Sequence, residues 1–170
     1  LIKNQFNYRQ LFWITGVLAF FLSPLADNLT TALVLCAVVV AVGSSSPKFV
    51  GIACVNIVVA ANAGGAFSPF GDITTLMVWQ AGQLDFLQFF ALVIPSIVNY
   101  IIPAGIMHFF VSDHKPNVAE EIVEIKYGGK VIILLGLLTI LTAVSFHNFL
   151  HLPPVFGMMT GLAYLQLYSF

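Results

Sequence analysis

The chain has 170 residues, 59% hydrophobic and 8% charged, with a mean hydropathy of +0.99. A soluble domain carries charge on about a quarter of its residues, so this composition excludes one and indicates an integral membrane protein. A net charge of −1, with six scattered basic residues, also excludes a nucleic-acid footprint.

The chain opens on Leu1 with no signal-peptide pattern. Residues 1–10 read as an interfacial lead-in. The last residues are still apolar, so an internal piece of a longer protein is expected. Residues 11–22 are apolar, Ser23-Pro24-Leu25-Ala26-Asp27-Asn28 interrupts them, and residues 29–42 are apolar again. A spanning helix needs about 20 residues, more than either arm holds. As one helix, residues 11–42 would measure about 48 Å, against a bilayer core of about 30 Å. The pattern predicts a re-entrant helical hairpin over 11–42 with Asp27 and Asn28 at its tip. Pro24 lacks a backbone donor and is expected to end the first arm. Asp27 or Asn28 caps the second.

Residues 43–48 form a polar turn. Residues 49–61 are a half-length apolar segment. Asn62-Ala63-Gly64-Gly65 and Ser68-Pro69-Phe70-Gly71-Asp72 resist a continuous helix, and Asp72 caps its resumption. The expectation is a broken transmembrane helix over 49–82, with Trp79 as an interfacial anchor. Residues 86–111 can span with tilt, kinked at Pro95 and Pro103, with Asn99 turned inward. Residues 112–129 read as a short cytoplasmic amphipathic connector, with Asn117 and Glu120 at its start and Val118, Ile122 and Ile125 on one face. Residues 130–146 and 153–170 are two further spans, the second incomplete. The fold class is all-α: a polytopic membrane protein with a re-entrant hairpin and a discontinuous helix. In this topology Lys3, Arg9, Lys48, Lys115, Lys126 and Lys130 fall on one side. Loops 80–85 and 147–152 carry no Lys or Arg. That bias places the entry of the hairpin at the cytoplasmic face. Two very short crossings would give the same sidedness.

The two breaks echo one another. Ser23 and Ser68, Pro24 and Pro69, and Asp27 and Asp72 each stand 45 residues apart, and a Thr pair follows each Asp. A carboxylate inside an apolar run is costly and marks a functional site. Alkali cations take oxygen ligands from carboxylates, amides, hydroxyls and unwound backbone. Asp27, Asn28, Thr30, Thr31, Asn62, Ser68, Asp72, Thr74 and Thr75 supply that chemistry, with Asp27, Asn28 and Asp72 as candidate Na⁺ ligands. A desolvated carboxyl favours its protonated form and a bound cation favours the ionised one. One carboxylate can therefore hold a proton or a cation in turn, which is the logic of an exchanger. Helix N-termini favour anions, so the same geometry suits a carboxylate or oxyanion substrate; two Asp residues would repel it.

Each feature also has a plainer reading. Either Asp can be a helix cap, and one Thr of each pair can bond only its own backbone. Pro24, Pro69, Gly64, Gly65 and Gly71 read as architectural. Cys36 and Cys54 lack metal-ligand spacing and read as small buried residues. His147 and His151 stand four apart without a third ligand. His108 and His114 read as interfacial. Gly157 and Gly161 match a helix-packing motif.

At the breaks the sequence resembles the NhaD-type sodium/proton antiporters of the ion-transporter superfamily. The matching stretches are SPLADNLTTALVL, VVAANAGGAFSPFGDITTLMVWQ and HNFLHLPPVFGMMTGL. The resemblance implies exchange of Na⁺ or Li⁺ for H⁺ across a bacterial inner membrane, with no cofactor. It implies two inverted repeats, each with a hairpin and a broken helix, assembled as a homodimer; the fold differs from that of NhaA-type antiporters. It assigns ion binding to Asp27, Asn28, Asn62, Asp72, Thr74 and Thr75. A second repeat is not visible in these residues. Dicarboxylate or arsenite carriers of the superfamily are the alternative, although they carry neutral residues where this chain has Asp. An intramembrane aspartyl protease would use a carboxyl pair sharing a proton. Its Gly-x-Gly-Asp pattern is absent, because Pro69 precedes Gly71 by two.

Overall fold

The computed structural model describes residues 6–44, 46–114, 128–150 and 152–169. The described residues are helical and fall into two compact units, Leu1–Glu120 and Glu121–Phe170.

In the first unit α1 spans Tyr8–Ala26, α2 Asn28–Val42 and α3 Pro47–Gly65. Contacts along α3 give their directions. The Tyr8 ring lies 4.3 Å from the Phe49 ring, the Asn56 amide donates to the Phe12 carbonyl at 3.0 Å, and Ser23 Oγ donates to the Ala61 carbonyl at 2.6 Å. α1 therefore runs parallel to α3. Gly43 packs on Phe49, Cys36 approaches the Cys54 carbonyl, and Asn28 bonds Asn62. α2 therefore runs back along α3, so α1 and α2 form a helical hairpin with Asp27 at its tip.

The chain leaves α3 through turns over 66–72 and resumes as α4, Ile73–Gln80. A 3₁₀ segment, Phe86–Leu92, leads into α5, Val93–His108. α5 descends along α1: Trp13 Nε1 donates to His108 Nδ1 at 3.1 Å, and Arg9 Nε donates to the Val111 carbonyl at 3.1 Å. Lys48 shares a groove with Met107 and Phe110. Arg9 and Lys48 thus lie at one end of the unit, as the hairpin topology requires.

The interior is small and tight. Phe12, Ala19, Ala53, Ile57, Ala60, Ala61 and Ala104 are fully buried; alanines let helix backbones approach closely. Large apolar residues point outward instead, among them Phe21, Leu29, Leu33, Ile94 and Ile102. Three helical segments are long and apolar enough to cross a bilayer: Tyr8–Ala26, Pro47–Gly65 and Phe86–His108.

Four expectations need correction. Pro24 does not end the first arm; it sits in the last turn of α1, which continues to Ala26, so that the first arm reaches 19 residues and a spanning length rather than falling short of it. Proline removes the donor for the carbonyl four residues earlier, that of Phe20, and this carbonyl faces Gly64 so closely that a Cβ there would strike it. The third segment is not half-length. α3 continues through Asn62-Ala63-Gly64-Gly65 to 19 residues, about 28 Å, because Gly64 and Gly65 are held by backbone contacts that poor helix propensity does not offset. Trp79 is not an interfacial anchor: it is 1% exposed, wedged between Phe70 and Phe86. Asn99 is exposed, and Ser96, Tyr100 and Ala104 form the inward stripe of α5.

In the second unit α6, Gly129–Leu150, packs antiparallel on α7, Pro154–Ser169. Cβ atoms at Gly157 and Gly161 would strike Ala143 and Thr139, so these glycines serve close helix packing. α6 runs four residues beyond the expected end at 146, into the expected loop. The expected connector lies largely at 115–127, outside the described residues, as does the side chain of His147 and all of His151.

Candidate functional site

Asp27 reverses the chain in a single residue, with φ 55° and ψ 158°. That region is essentially reserved for glycine and costs roughly 1–3 kcal/mol. The conformation is held by the side chain: Asp27 Oδ1 accepts from Thr30 N at 3.0 Å, and Oδ2 from Thr30 Oγ1 at 2.6 Å. Asp27 thus caps α2. Asp72 caps α4 in the same way: its Oδ1 accepts from Thr74 N at 3.2 Å, while Thr75 Oγ1 donates to the Asp72 carbonyl at 2.8 Å. One Thr of the second pair therefore does bond its own backbone.

The two breaks meet. Asn28 N donates to the Gly71 carbonyl at 2.9 Å. Asn28 Nδ2 donates to Asn62 Oδ1 at 3.0 Å and to Asp72 Oδ2 at 3.0 Å. Three elements, the hairpin tip, the end of α3 and the start of α4, thereby converge on one polar cluster. The serines of the two Ser-Pro repeats brace this region. Ser23 of the first break bonds the Ala61 carbonyl of α3, and Ser68 Oγ of the second donates to the Pro24 carbonyl at 2.9 Å. Gly65 and Gly71 stack backbone on backbone: a Cβ at Gly65 would lie 2.7 Å from the Gly71 carbonyl oxygen.

Of the nine candidate residues, Asn28, Asn62 and Asp72 share direct bonds. Asp27 and Thr30 form a second pair immediately beside them in sequence. Thr31 is buried, and its hydroxyl has no hydrogen-bond partner among the described residues. Ser68 is buried, and its hydroxyl donates to the Pro24 carbonyl rather than to either carboxylate. Thr74 contributes its backbone N–H, and Thr75 its hydroxyl to the cap. Ser23 was not among the candidates, yet it is fully buried and its bond to Ala61 ties α1 to α3 just ahead of the second break. Its signal was the Ser-Pro repeat itself. The Asp72 carboxylate, the Asn62 amide oxygen and the bridging Asn28 carboxamide form a polar cluster half-open to the surroundings, beside two helix N-termini that favour negative charge.

Spanning-length helices with apolar outer faces, wrapped round two polar breaks that touch, define a membrane transport protein. The family model described as CitMHS, citrate transporter, matches residues 1–165, and the chain belongs to that family. It is 61% identical over its whole length to the Na⁺/H⁺ antiporter NhaD of Vibrio cholerae, covering 36% of that protein. It is 58% identical to the Na⁺/H⁺ antiporter NhaD of Alkalimonas amylolytica, again over the whole chain and 35% of the relative. Sodium/proton antiporter 1 of Arabidopsis thaliana is 33% identical over 92% of the chain and 28% of its own length. The chain thus spans about a third of the length of these curated relatives. The resemblance read at the two breaks extends along all 170 residues. No solved structure matches it.

Proposed function

We propose that the protein to which this chain belongs exchanges Na⁺ or Li⁺ for H⁺ across a bacterial inner membrane. The observation that carries the reading is the Asn28 bridge, which brings Asn62 and Asp72 to one point from positions 34 and 44 residues away. In this account the hairpin is re-entrant, and its tip and the α3–α4 break meet within the bilayer core. Asp72, with Asp27 beside it, binds the cation when ionised and the proton when the cation leaves. Asn28 and Asn62 add neutral amide oxygens, and Thr30, Thr31, Ser68, Thr74 and Thr75 line or brace the site. No cofactor enters: the ions are the substrates. The account includes a second, inverted repeat elsewhere in the protein and assembly as a homodimer. The relatives named as Na⁺/H⁺ antiporters support the choice of ions.

The test is Na⁺-induced proton movement in everted vesicles carrying the full-length protein, with Li⁺ and K⁺ as comparisons. Wild type should release the proton gradient on Na⁺ addition. Asp72→Asn should abolish the response with the protein still in the membrane. Unchanged exchange in Asp72→Asn removes that carboxylate from the mechanism. A second reading is favoured by the family's description as citrate transporters and by the two helix N-termini: carriage of a carboxylate anion. Citrate uptake without Na⁺/H⁺ exchange in the same vesicles would select it.

A further inference from the structure

The orientation of the Asn28 carboxamide is dictated by its neighbours. Asn62 Nδ2 donates to the Val58 carbonyl at 2.8 Å, which turns Asn62 Oδ1 toward Asn28. Asn28 then faces two acceptors, Asn62 Oδ1 and Asp72 Oδ2, each at 3.0 Å. A primary amide has two N–H hydrogens on nitrogen and only lone pairs on oxygen, so the Asn28 nitrogen must point inward, and both its hydrogens are used. Meanwhile the backbone of Asn28 is tethered to Gly71. What remains free to turn is the amide plane about its own bond to Cβ.

We propose that the Asn28 carboxamide is a two-state element of the cation site: its nitrogen faces Asn62 and Asp72 when the site is empty, and its oxygen when Na⁺ or Li⁺ is bound. This rests on the cation-exchange reading given above. With nitrogen inward, two N–H hydrogens occupy the space between Asn62 Oδ1 and Asp72 Oδ2 and stand in for a positive charge. A cation entering there meets hydrogens of its own sign. A half-turn of the amide removes them and brings Asn28 Oδ1 alongside the other two oxygens, giving three oxygen ligands from α2, α3 and the start of α4. The reverse mismatch holds in the empty site. Oxygen inward would then set three acceptors against each other with no donor among them. Each orientation therefore fits one occupancy, and the half-turn couples filling of the site to the contact that joins the hairpin tip to the broken helix. In the empty site the amide makes that joint. In the filled site the ion makes it.

The experiment uses the full-length protein in lipid, labelled with ¹⁵N-asparagine and ¹³C-aspartate, and solid-state NMR of the side-chain amides. The Asn28 signal is identified by its loss in Asn28→Asp and, independently, in Asn28→Ser. Binding of ²²Na⁺ is measured on the same sample. Without Na⁺, a contact between Asn28 Nδ2 and the Asp72 carboxyl carbon is expected. Saturating NaCl should abolish that contact, whereas choline chloride at equal ionic strength should leave it intact. Persistence of the contact in a sample that has bound ²²Na⁺, or its loss in choline as well, overturns the two-state amide while leaving the cation site standing. Absence of ²²Na⁺ binding overturns the cation site itself, and this inference with it.

Discussion

Replacing Gly64 with alanine tests whether the two breaks depend on backbone packing. A Cβ on Gly64 would strike the Phe20 carbonyl oxygen and would sit 2.8 Å from the Phe20 carbonyl carbon and 2.9 Å from its Cα. All three are backbone atoms of α1 and cannot rotate away. Ordinary contact begins at 3.4 Å, so α1 and α3 must part by roughly 0.6 Å or more, and overpacking of this kind costs about 1–3 kcal/mol. Gly51 supplies the control. It lies in the same helix with nothing within 4 Å of its added Cβ, so Gly51→Ala should gain about 0.5–1 kcal/mol from helix propensity alone. The two variants should therefore differ by about 1.5–4 kcal/mol. SDS-titrated unfolding of the full-length protein in micelles, followed by tryptophan fluorescence, measures the difference. Equal unfolding midpoints for the two alanine variants would refute the close approach of α1 to α3.

Two further effects follow from named contacts. Ser23→Ala removes the 2.6 Å bond to the Ala61 carbonyl from a fully buried position; the same unfolding assay should show a loss of about 1–3 kcal/mol, and Ser23→Thr should recover less than full stability. Trp79→Ala empties a buried site between Phe70 and Phe86, costing about 3–5 kcal/mol, and limited proteolysis should open first in the turns over 66–72.

The length of the first arm was not legible: α1 starts at Tyr8 and runs through Pro24 to Ala26, 19 residues and long enough to span. The reversal of the chain was legible, because Asp27 between two apolar arms is a recognisable cap. Asp72 as the cap of α4 was legible for the same reason. The run of α3 through Gly64 and Gly65 was not, because these residues are poor helix formers and are held by Gly71 across the following turn and by Phe20 and Ser23, which are distant in sequence. Trp79 and Asn99 were each placed by residue type alone. Their exposure depends on which face of the element meets a neighbour, and Phe70 with Phe86 decides it for Trp79. The repeat of Ser-Pro and Asp announced a two-part site. That the joint between the parts is Asn28, with Asn62 and Asp72 as its acceptors, is a tertiary fact. So are the bonds that Ser23 makes to Ala61 and Ser68 to Pro24.

A double-mutant cycle on ²²Na⁺ affinity bears most directly on the idea of one cation held from both breaks. Asn28→Ala, Asn62→Ala and the double variant are compared with wild type in the purified full-length protein. Residues that share one ligand couple, whereas independent sites add within about 0.5 kcal/mol. Both single variants should weaken Na⁺ binding, and the double variant should lose clearly less than the two losses combined. Strict additivity, or wild-type affinity in either single variant, would contradict a shared site.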